Sequence, residues 1–483
     1  MRRTDINVKT LSHMAATGEF GLVRGKADAA IEMLGWDISP DSDEYAHLCD
    51  LLNRVALSAL QEAQQRAAGD ADTEVSNKVV DRVRHREATK AKPGETITEL
   101  FETYAAQLVA TNGKRSAGIS QDRMVIGQFA EFVGADRAVR SIEYEDAKAF
   151  VDALAKIPAS YKKLGSYRGL SIHEAIEKGE RDGRKTLSVI TQQRYISTLS
   201  PFFDWLRSER GGRRLTENPF AGLHHDTKKI KGRNRRPSFS AAQITTIVRS
   251  PLFTGFQAEG KEHMPGNQRA DDWRFWLPLV CLFTGARIGE VAQLHVSDVF
   301  QDQEIWCVEL RHDESTGQRT KSDKTRVVAL HSTLIAIGLL EFVARQRDRS
   351  AQDANPQLFP ELHAGGREQF GDRPSRWWRD YLVAIGVKLK DGGDGLGSHA
   401  FRHTLSDQLR AAGHLDNVFG PIILGHSTKS VTGGYGETRQ GTPQLSKMLI
   451  ESVKFIPIER GKIVEDGEPV DFSYLIRRTR PEC

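Results

Sequence analysis

The chain has 483 residues, of which 39% are hydrophobic and 27% charged, the composition of a soluble globular protein. At roughly 100–200 residues per domain, this length predicts two to four domains. No run approaches the ~18 uninterrupted apolar residues of a spanning helix, which excludes an integral membrane protein, and no apolar signal segment follows the basic N-terminus. The four cysteines are widely spaced, which argues against disulfides or a structural zinc site and predicts a cytoplasmic protein.

Residues 1–92 are predicted to form a separate helical region, whose role the sequence does not indicate. In EYAHLCDLLNRVALSALQEAQQRAAG, apolar residues recur at the spacing of one face of an amphipathic helix. These residues are Leu48, Leu51, Leu52 and Val55. The charged stretch that follows ends at Pro93-Gly94, a dipeptide typical of a turn, and we place a domain boundary there.

Residues 93–225 are predicted to form an all-α domain. Several amphipathic patterns follow one another, beginning with TITELFETYAAQLVATN, in which Thr96 and Glu99 have the spacing of a capping box. The segment 161–186 interrupts this series and is interpreted as an insertion before the last helix, LSVITQQRYISTLSPFFDWLRS.

A basic run without an acidic residue, KKIKGRNRR at 228–236, lies in a predicted linker at 226–237. Such a cluster attracts phosphates through Coulomb forces and counterion release, but it is equally compatible with a solvated linker. The net charge of +4 does not distinguish the two. The candidate DNA-binding residues here are Lys228, Lys229, Lys231, Arg233, Arg235 and Arg236.

Residues 238–458 are predicted to form a mixed α+β domain, with a polar C-terminal tail at 459–483. Helical patterns dominate, but EIWCVELR (304–311) and RVVALH (326–331) are typical of strands. A last amphipathic helix has four apolar residues on one face, Leu445, Met448, Leu449 and Val453. The predicted fold class is therefore multidomain and mainly α: an all-α domain followed by a mixed domain with a small antiparallel sheet.

The segment LFTGARIGEVAQL (282–294) presents Arg287 at a glycine turn between two helices. The planar guanidinium suits bidentate contact with a phosphate, and Glu290 could hold it in position. An arginine and a glutamate at this spacing also occur as an ordinary structural ion pair.

Three basic residues, Lys321, Lys324 and Arg326, lie in or beside the loop between the two predicted strands, in TKSDKTRVVAL. A lysine at the tip of such a hairpin can enter a DNA groove or donate a proton to a leaving oxygen. Each of these side chains could instead be a solvated loop charge. We predict DNA contacts for Lys324 and Arg326.

Two further segments place histidines close to other reactive groups. In HAFRHTLSDQL, His399 and Arg402 have the spacing of one helix face, although His403 could compete for the same acid–base role, and an ordinary capped helix explains the pattern equally well. In ILGHSTKSVTGGYGE, His426 follows a tight turn and Tyr435 lies between glycines, as a loop aromatic or as a candidate nucleophile.

The ordered set of these residues resembles the catalytic set of the tyrosine recombinases, the lambda-type phage integrase family. The set consists of Arg287, Lys321, His399, Arg402, His426 and Tyr435. TGARIGE resembles the first arginine box of that family, KSDKTRVVAL its hairpin lysine, HAFRHT its second box and LGHSTKSVTGGY its nucleophile segment. The region 93–225 resembles its core-binding, SAM-like domain. The chain departs from the family in its first 92 residues, in the 161–186 segment, in the two glycines before Tyr435 and in Ala329, where a proline is frequent.

The resemblance implies cleavage of double-stranded DNA at specific sites, without metal, ATP or another cofactor. Tyr435 would attack the scissile phosphate and form a 3′-phosphotyrosyl bond, while Arg287 and Arg402 clamp its oxygens and Glu290 supports Arg287. His399 would assist proton transfer from the tyrosine, and Lys321 would protonate the leaving 5′ oxygen. His426 would hydrogen-bond to the phosphate.

The resemblance also implies a homotetramer on DNA, a Holliday junction and a role in integration, excision or transposition of a mobile element, with accessory bending or directionality factors as further partners. It predicts a cytoplasmic, nucleoid-associated protein without a membrane partner. Two alternatives stay open: a catalytically inactive, sequence-specific DNA-binding protein, and a type IB topoisomerase-like enzyme that relaxes DNA. No GxxxxGK[ST] motif is present, which argues against a nucleotide-dependent enzyme.

Overall fold

The computed structural model describes residues 12–13, 17, 20–21, 23–34, 36–68, 89–112, 114, 116–227, 237–313, 315–349, 356–365, 370–390, 395–426, 441–459, 462–464 and 467–479. The chain divides into two compact units, 1–231 and 232–483, and this boundary falls inside the predicted linker at 226–237. Among the described residues, none of the helices has both the length and the hydrophobicity that crossing a membrane requires.

The first unit begins with a helical pair, α1 (Arg24–Leu34) and α2 (Asp43–Ala67), which confirms the amphipathic helix predicted there. Ser42 caps α2 by accepting a hydrogen bond from the Tyr45 backbone N–H at 3.1 Å. The Tyr45 hydroxyl donates to Asp28 on α1 at 2.6 Å. The pair has a small core of its own, with buried Val23, Ala27, Tyr45 and Cys49.

The rest of the first unit is all-α, as the sequence predicts. Its helices are α3 (Ile97–Asn112), α4 (Ser116–Val133), α5 (Tyr144–Leu154), α6 (Ile172–Arg181) and α7 (Val189–Arg207). The predicted capping box closes α3: the Glu99 N–H donates to Thr96 Oγ1 at 3.3 Å, and the Thr96 N–H donates to Glu99 Oε2 at 3.1 Å. An aromatic cluster fills the core, where the Phe129 ring makes edge contacts with Phe150, Phe203 and Phe220.

The segment 161–186, interpreted above as an insertion, contributes directly to this core. Its buried residues Tyr161, Tyr167, Ile172 and Ala175 belong to the same apolar cluster as the neighbouring helices. Gln128, buried on α4, donates to the Tyr161 hydroxyl at 3.2 Å and accepts from the Tyr195 hydroxyl at 2.6 Å. The segment is therefore a packed part of the domain.

The second unit is mixed, with helices around a small sheet, and the predicted fold class is confirmed. Its helices are α8 (Ala241–Val248), α9 (Pro251–Thr254), α10 (Trp273–Thr284), α11 (Ile288–Ala292), α12 (Ser332–Ile337), α13 (Leu339–Arg349), α14 (Asp372–Ala384), α15 (His399–Ala411), α16 (Asp416–Phe419), α17 (Pro443–Glu451) and α18 (Ser473–Thr479). Helix α10 is apolar on nearly every face and almost wholly buried, as expected of a central helix, and α15 packs against it.

The sheet contains β1 (Val299–Asp302), β2 (Ile305–Leu310) and β3 (Arg326–Ala329), antiparallel in the order β1-β2-β3. The two predicted strands correspond to β2 and β3, whereas β1 was not predicted. The turn from β1 to β2 passes through Gln303 and Glu304 with φ of 49° and 66°. Positive φ at both positions is typical of a tight hairpin, but the sequence lacks the Asn-Gly or Asp-Gly pair that usually marks one.

The apolar core extends into the segment predicted as a polar C-terminal tail. Strands β4 (Ile458–Glu459) and β5 (Lys462–Ile463) form a second antiparallel pair. Beyond them, Val470, Phe472 and Leu475 are buried in the core of the second unit. Helix α18 packs against α12.

Candidate active site

Arg287 lies in a tight turn between α10 and α11. Gly285 ends α10 with φ +66°, a left-handed conformation that glycine adopts at little cost. A Cβ at this position would also lie 2.8 Å from Leu424 Cδ2 and 2.9 Å from Leu405 Cδ2. The backbone conformation and the close packing therefore both require glycine here, and the turn places Arg287 at the N-cap of α11.

Glu290 binds two arginines that lie on different elements. Its Oε1 accepts from Arg287 Nη1 at 2.7 Å, and its Oε2 accepts from Arg326 Nη2 at 2.6 Å. The Arg287 backbone N–H also donates to Oε2, at 3.0 Å. Burial would raise the pKa of Glu290, but the charges and hydrogen bonds of Arg326 and Arg287 outweigh it and lower the pKa to about 2. The carboxylate therefore stays ionised and holds Arg287 in place.

Arg402, on α15, links the Gly285 turn to the segment that precedes His426. Its guanidinium donates from Nη1 to the Gly285 carbonyl at 2.7 Å and from Nη2 to the Leu424 carbonyl. The residue is only 5% exposed. Because both of these acceptors are neutral carbonyls, they orient the guanidinium without neutralising its charge.

His426 follows a π-helical turn, Gly420–Leu424, a rare element that is frequent at functional sites. The His426 backbone N–H donates to the Gly420 carbonyl at 3.0 Å. Gly425, between the turn and the histidine, has φ +66°, and a Cβ there would lie 3.1 Å from Arg326 Nη1. This glycine therefore lets the chain pass close over the Arg326 guanidinium. The His426 side chain that follows is partly exposed.

Positive charge exceeds negative charge at this site. Burial, together with the charges of Arg287 and Arg326, lowers the pKa of Arg402 from 12.5 to about 9. Burial and the same arginines, with Arg402, also lower the pKa of His426. A bound anion would offset both the desolvation and the repulsion between these cations. The arrangement therefore favours a ligand with negatively charged oxygens, such as a phosphate.

Lys321 is exposed in the loop between β2 and β3. The hydroxyl of buried Thr320 closes a turn around it, donating to the Lys324 carbonyl at 3.0 Å and accepting from the Lys324 N–H at 3.1 Å. Lys324 is exposed as well. The two lysines are therefore accessible to a large anionic ligand.

His399 is the first residue of α15 and is exposed, whereas Arg402, one turn later, is buried. The rings of His399 and His403 are 6.3 Å apart, so both histidines of this motif lie near the start of the same helix. In the described parts of the chain, no three or more His, Cys, Asp or Glu side chains are grouped so that they could hold a metal ion.

The structure does not support the DNA contact predicted for Arg326. The residue is 8% exposed, and besides Glu290 its guanidinium binds the Ile423 carbonyl through Nε at 3.1 Å. Strand alternation could have indicated this, because Arg326 shares a strand face with the fully buried Val328. The role of Arg326 as the second partner of Glu290 was missed in the sequence.

Tyr435 and the basic run at 228–236 lie outside the described residues. The assignment of Tyr435 as nucleophile and the predicted linker contacts with DNA therefore stay predictions. The linker residues concerned are Lys228, Lys229, Lys231, Arg233, Arg235 and Arg236.

Residues 271–440 match the family model described as "Phage integrase family", which confirms the resemblance found in the sequence. The matched range includes all six residues of the predicted catalytic set. No curated protein matches the chain.

Solved structures with low sequence identity are similar to the chain. An integrase from mycobacterium phage Brujita is 14% identical, over 79% of this chain and 98% of that chain, with a TM-score of 0.29. A lambda integrase dimer bound to a COC′ core site is 16% identical, over 78% of this chain and 85% of that chain, with a TM-score of 0.43. The Tn1549 transposon integrase in complex with transposon right end DNA is 14% identical, over 69% of this chain and 92% of that chain, with a TM-score of 0.42.

Proposed function

We propose that this protein, whose residues 271–440 belong to the phage integrase family, is a site-specific recombinase that cuts and rejoins DNA through a covalent phosphotyrosyl intermediate. The observation that carries the proposal is an excess of positive charge around Glu290. Its single carboxylate accepts hydrogen bonds from two arginines, Arg287 and Arg326, and a third arginine, Arg402, is buried nearby. A scissile phosphodiester supplies the missing negative charge.

In the proposed site, Arg287 and Arg402 contact the non-bridging oxygens of that phosphate. Negative charge builds on these oxygens in the transition state, and donors that are already oriented stabilise it at little reorganisation cost. Glu290 and the Gly285 carbonyl provide that orientation. His426 adds a hydrogen bond to the phosphate.

Tyr435 is the proposed nucleophile. Its phenolic oxygen forms a bond to phosphorus while the bond from phosphorus to the 5′ oxygen breaks. His399 accepts the tyrosine proton, and Lys321 donates a proton to the departing 5′ oxygen. The products are a 3′-phosphotyrosyl bond and a free 5′-hydroxyl. Because the covalent link retains the energy of the phosphodiester, rejoining needs no ATP.

Strand exchange follows when the 5′-hydroxyl of a partner duplex attacks the phosphotyrosine. We infer that four copies of the chain assemble on two sites and pass through a Holliday junction, in integration, excision or transposition of a mobile element. The exposed Met448 on α17, with 56% of its surface accessible, is consistent with contact to a neighbouring copy.

Denaturant-stable attachment to DNA tests the proposal. The wild type and Tyr435→Phe are expressed with the DNA that flanks the gene, and covalently attached DNA is recovered and sequenced. Tyr144→Phe is the matched control, because Tyr144 is a 48% exposed tyrosine on α5, in the other unit of the chain. We expect attachment by the wild type and the control, and none by Tyr435→Phe.

The other outcomes point to the alternatives. Attachment by Tyr435→Phe would show that another residue is the nucleophile. Sequence-selective DNA binding without attachment by the wild type would favour an inactive DNA-binding protein. Attachment accompanied by relaxation of supercoiled DNA, with no exchange between two sites, would favour the topoisomerase-like enzyme.

A further inference from the structure

We propose that Gln293 is a positioning residue, which holds the loop that carries Lys321 in register with the helix that presents Arg287. The inference rests on the proposed function, in which these two side chains act on the same phosphodiester. They belong to different elements, so some contact must fix the distance between them.

Gln293 forms two hydrogen bonds to the backbone of one loop residue. Its side-chain Nε2 donates to the Arg319 carbonyl at 2.9 Å, and its Oε1 accepts from the Arg319 N–H at 2.9 Å. The side-chain amide thus pairs with Arg319 as a neighbouring strand would. Gln293 itself is the C-cap of α11, the helix whose N-cap is Arg287, and it is 5% exposed.

Gln318 ties the same loop to the same end of α11. Its Nε2 donates to the Gln293 carbonyl at 3.2 Å and to Asp298 Oδ2 at 2.7 Å. Gln318 and Asp298 are 2% and 1% exposed, so water does not compete with these bonds. The loop is therefore anchored at two successive residues, Gln318 and Arg319.

Lys321 follows this anchor after one residue, the buried Thr320. The loop runs from the end of β2 at Leu310 to the start of β3 at Arg326, and loops of this length usually have many conformations. Because the Lys321 side chain is exposed, the position of its amine depends mainly on the anchored backbone. A catalytic group displaced by about 1 Å can cost about 100-fold in rate.

A substrate with sulfur in place of the scissile 5′ oxygen separates positioning of Lys321 from general stability. A thiol has a pKa of about 8.5, so a sulfur leaving group departs as a thiolate and needs no proton. Loss of the proton donor therefore slows cleavage of the oxygen substrate only. Loss of a phosphate clamp slows cleavage of both substrates.

Gln408 provides a matched control within the same unit. Its Nε2 donates to the Ile456 carbonyl at 2.7 Å, and its Oε1 accepts from the Ile456 N–H at 2.9 Å. Gln408→Met thus removes the same two kinds of hydrogen bond as Gln293→Met, from a side chain that is also nearly buried, but it leaves the Lys321 loop intact.

We expect Gln293→Met to slow covalent cleavage of the oxygen substrate by about 10- to 100-fold. The sulfur substrate should restore cleavage to near the wild-type rate, as it should for Lys321→Ala. Gln408→Met should leave the ratio of the two rates at its wild-type value. Gln293→Glu keeps the oxygen that accepts from the Arg319 N–H and loses the N–H that donates to the Arg319 carbonyl. Its rate of cleavage of the oxygen substrate should lie between those of the wild type and Gln293→Met.

Hydrogen exchange of the backbone at 311–325 gives a second readout that does not depend on activity. Gln293→Met should accelerate exchange there, whereas Gln408→Met should not. Absence of covalent cleavage by the wild type would overturn the proposed function, yet the exchange comparison would still decide whether Gln293 anchors the loop. Unchanged exchange, or equal slowing of both substrates, would overturn the inference. If Gln293→Met does not fold, the same criteria apply to Gln293→Glu.

Discussion

Glu290 and Arg326 form a buried ion pair, with 2.6 Å between Oε2 and Nη2, although 36 residues separate them in the chain. Their side chains are 4% and 7% exposed. Since Glu290 also binds Arg287, this pair connects the edge strand β3 to the turn that presents the first arginine of the site. The position of Arg287 therefore depends on the sheet as well as on its own helix.

Glu290→Gln should destabilise the protein and impair cleavage. It leaves the buried Arg326 without its counter-charge, and removing one partner of a buried ion pair typically costs about 3–5 kcal/mol. Urea denaturation measures the loss of stability. Asp380→Asn is the control, because the Arg379–Asp380 pair is 54% and 67% exposed and should contribute little. Equal effects of the two substitutions would contradict the role of Glu290.

The same pair predicts a stability loss in acid. The pKa of Glu290 is about 2 in the folded protein and about 4.5 when unperturbed, so the unfolded chain binds a proton first as pH falls. The stabilisation by Glu290 is therefore complete above about pH 4.5 and is lost as pH falls towards 2. Urea midpoints of the wild type and Glu290→Gln, compared across this range, should converge. A difference that stays constant with pH would refute this linkage.

Gly425→Ala should reduce both stability and DNA cleavage. Alanine at φ +66° is strained by about 1–2 kcal/mol, and its Cβ would also lie 3.0 Å from Arg326 Cδ. Gly386→Ala is a suitable control, since φ there is +74° but no atom lies within 4 Å of the added Cβ. Gly386→Ala should therefore lose stability through backbone strain alone and retain DNA cleavage. Equal loss of cleavage in both variants would mean that the contact with Arg326 is unimportant.

A bound oxyanion should raise the pKa of His426. Burial and the neighbouring arginines lower this pKa in the free protein, and a negative charge beside the imidazole opposes them. The ring can be titrated by nuclear magnetic resonance with and without inorganic sulfate. Sodium chloride at the same ionic strength serves as the control and should leave the pKa of His426 unchanged. No change at His426 would contradict the anion site.

Arg402→Lys should abolish most cleavage while the protein keeps its fold and its charge. A lysine cannot donate to both the Gly285 and Leu424 carbonyls and still present a planar fork to a phosphate. We expect covalent attachment to fall by about 100-fold or more, on the scale of a lost oxyanion donor, with DNA binding retained. Gel-shift and attachment assays on the same DNA separate the two effects. Normal cleavage by Arg402→Lys would place the phosphate elsewhere.

Much of the fold could be predicted because local signals were strong. The amphipathic α2, the capping box of α3 and the strands β2 and β3 depend on residues close in sequence. Strand β1 was missed because its hairpin turn uses Gln303 and Glu304 in place of glycine or asparagine.

For the candidate site, the residue types and their order can be read directly along the chain: the arginine turn, the loop lysine, the two histidines and the tyrosine. Three contacts are visible only in the folded chain: Arg326 binds Glu290, Arg402 binds the Gly285 carbonyl, and Gln293 binds the Arg319 carbonyl in the Lys321 loop. Each of these contacts joins segments that lie 26 or more residues apart. Periodicity can indicate that Arg326 is buried, but it does not indicate which residue Arg326 contacts, because such contacts depend on how distant segments pack.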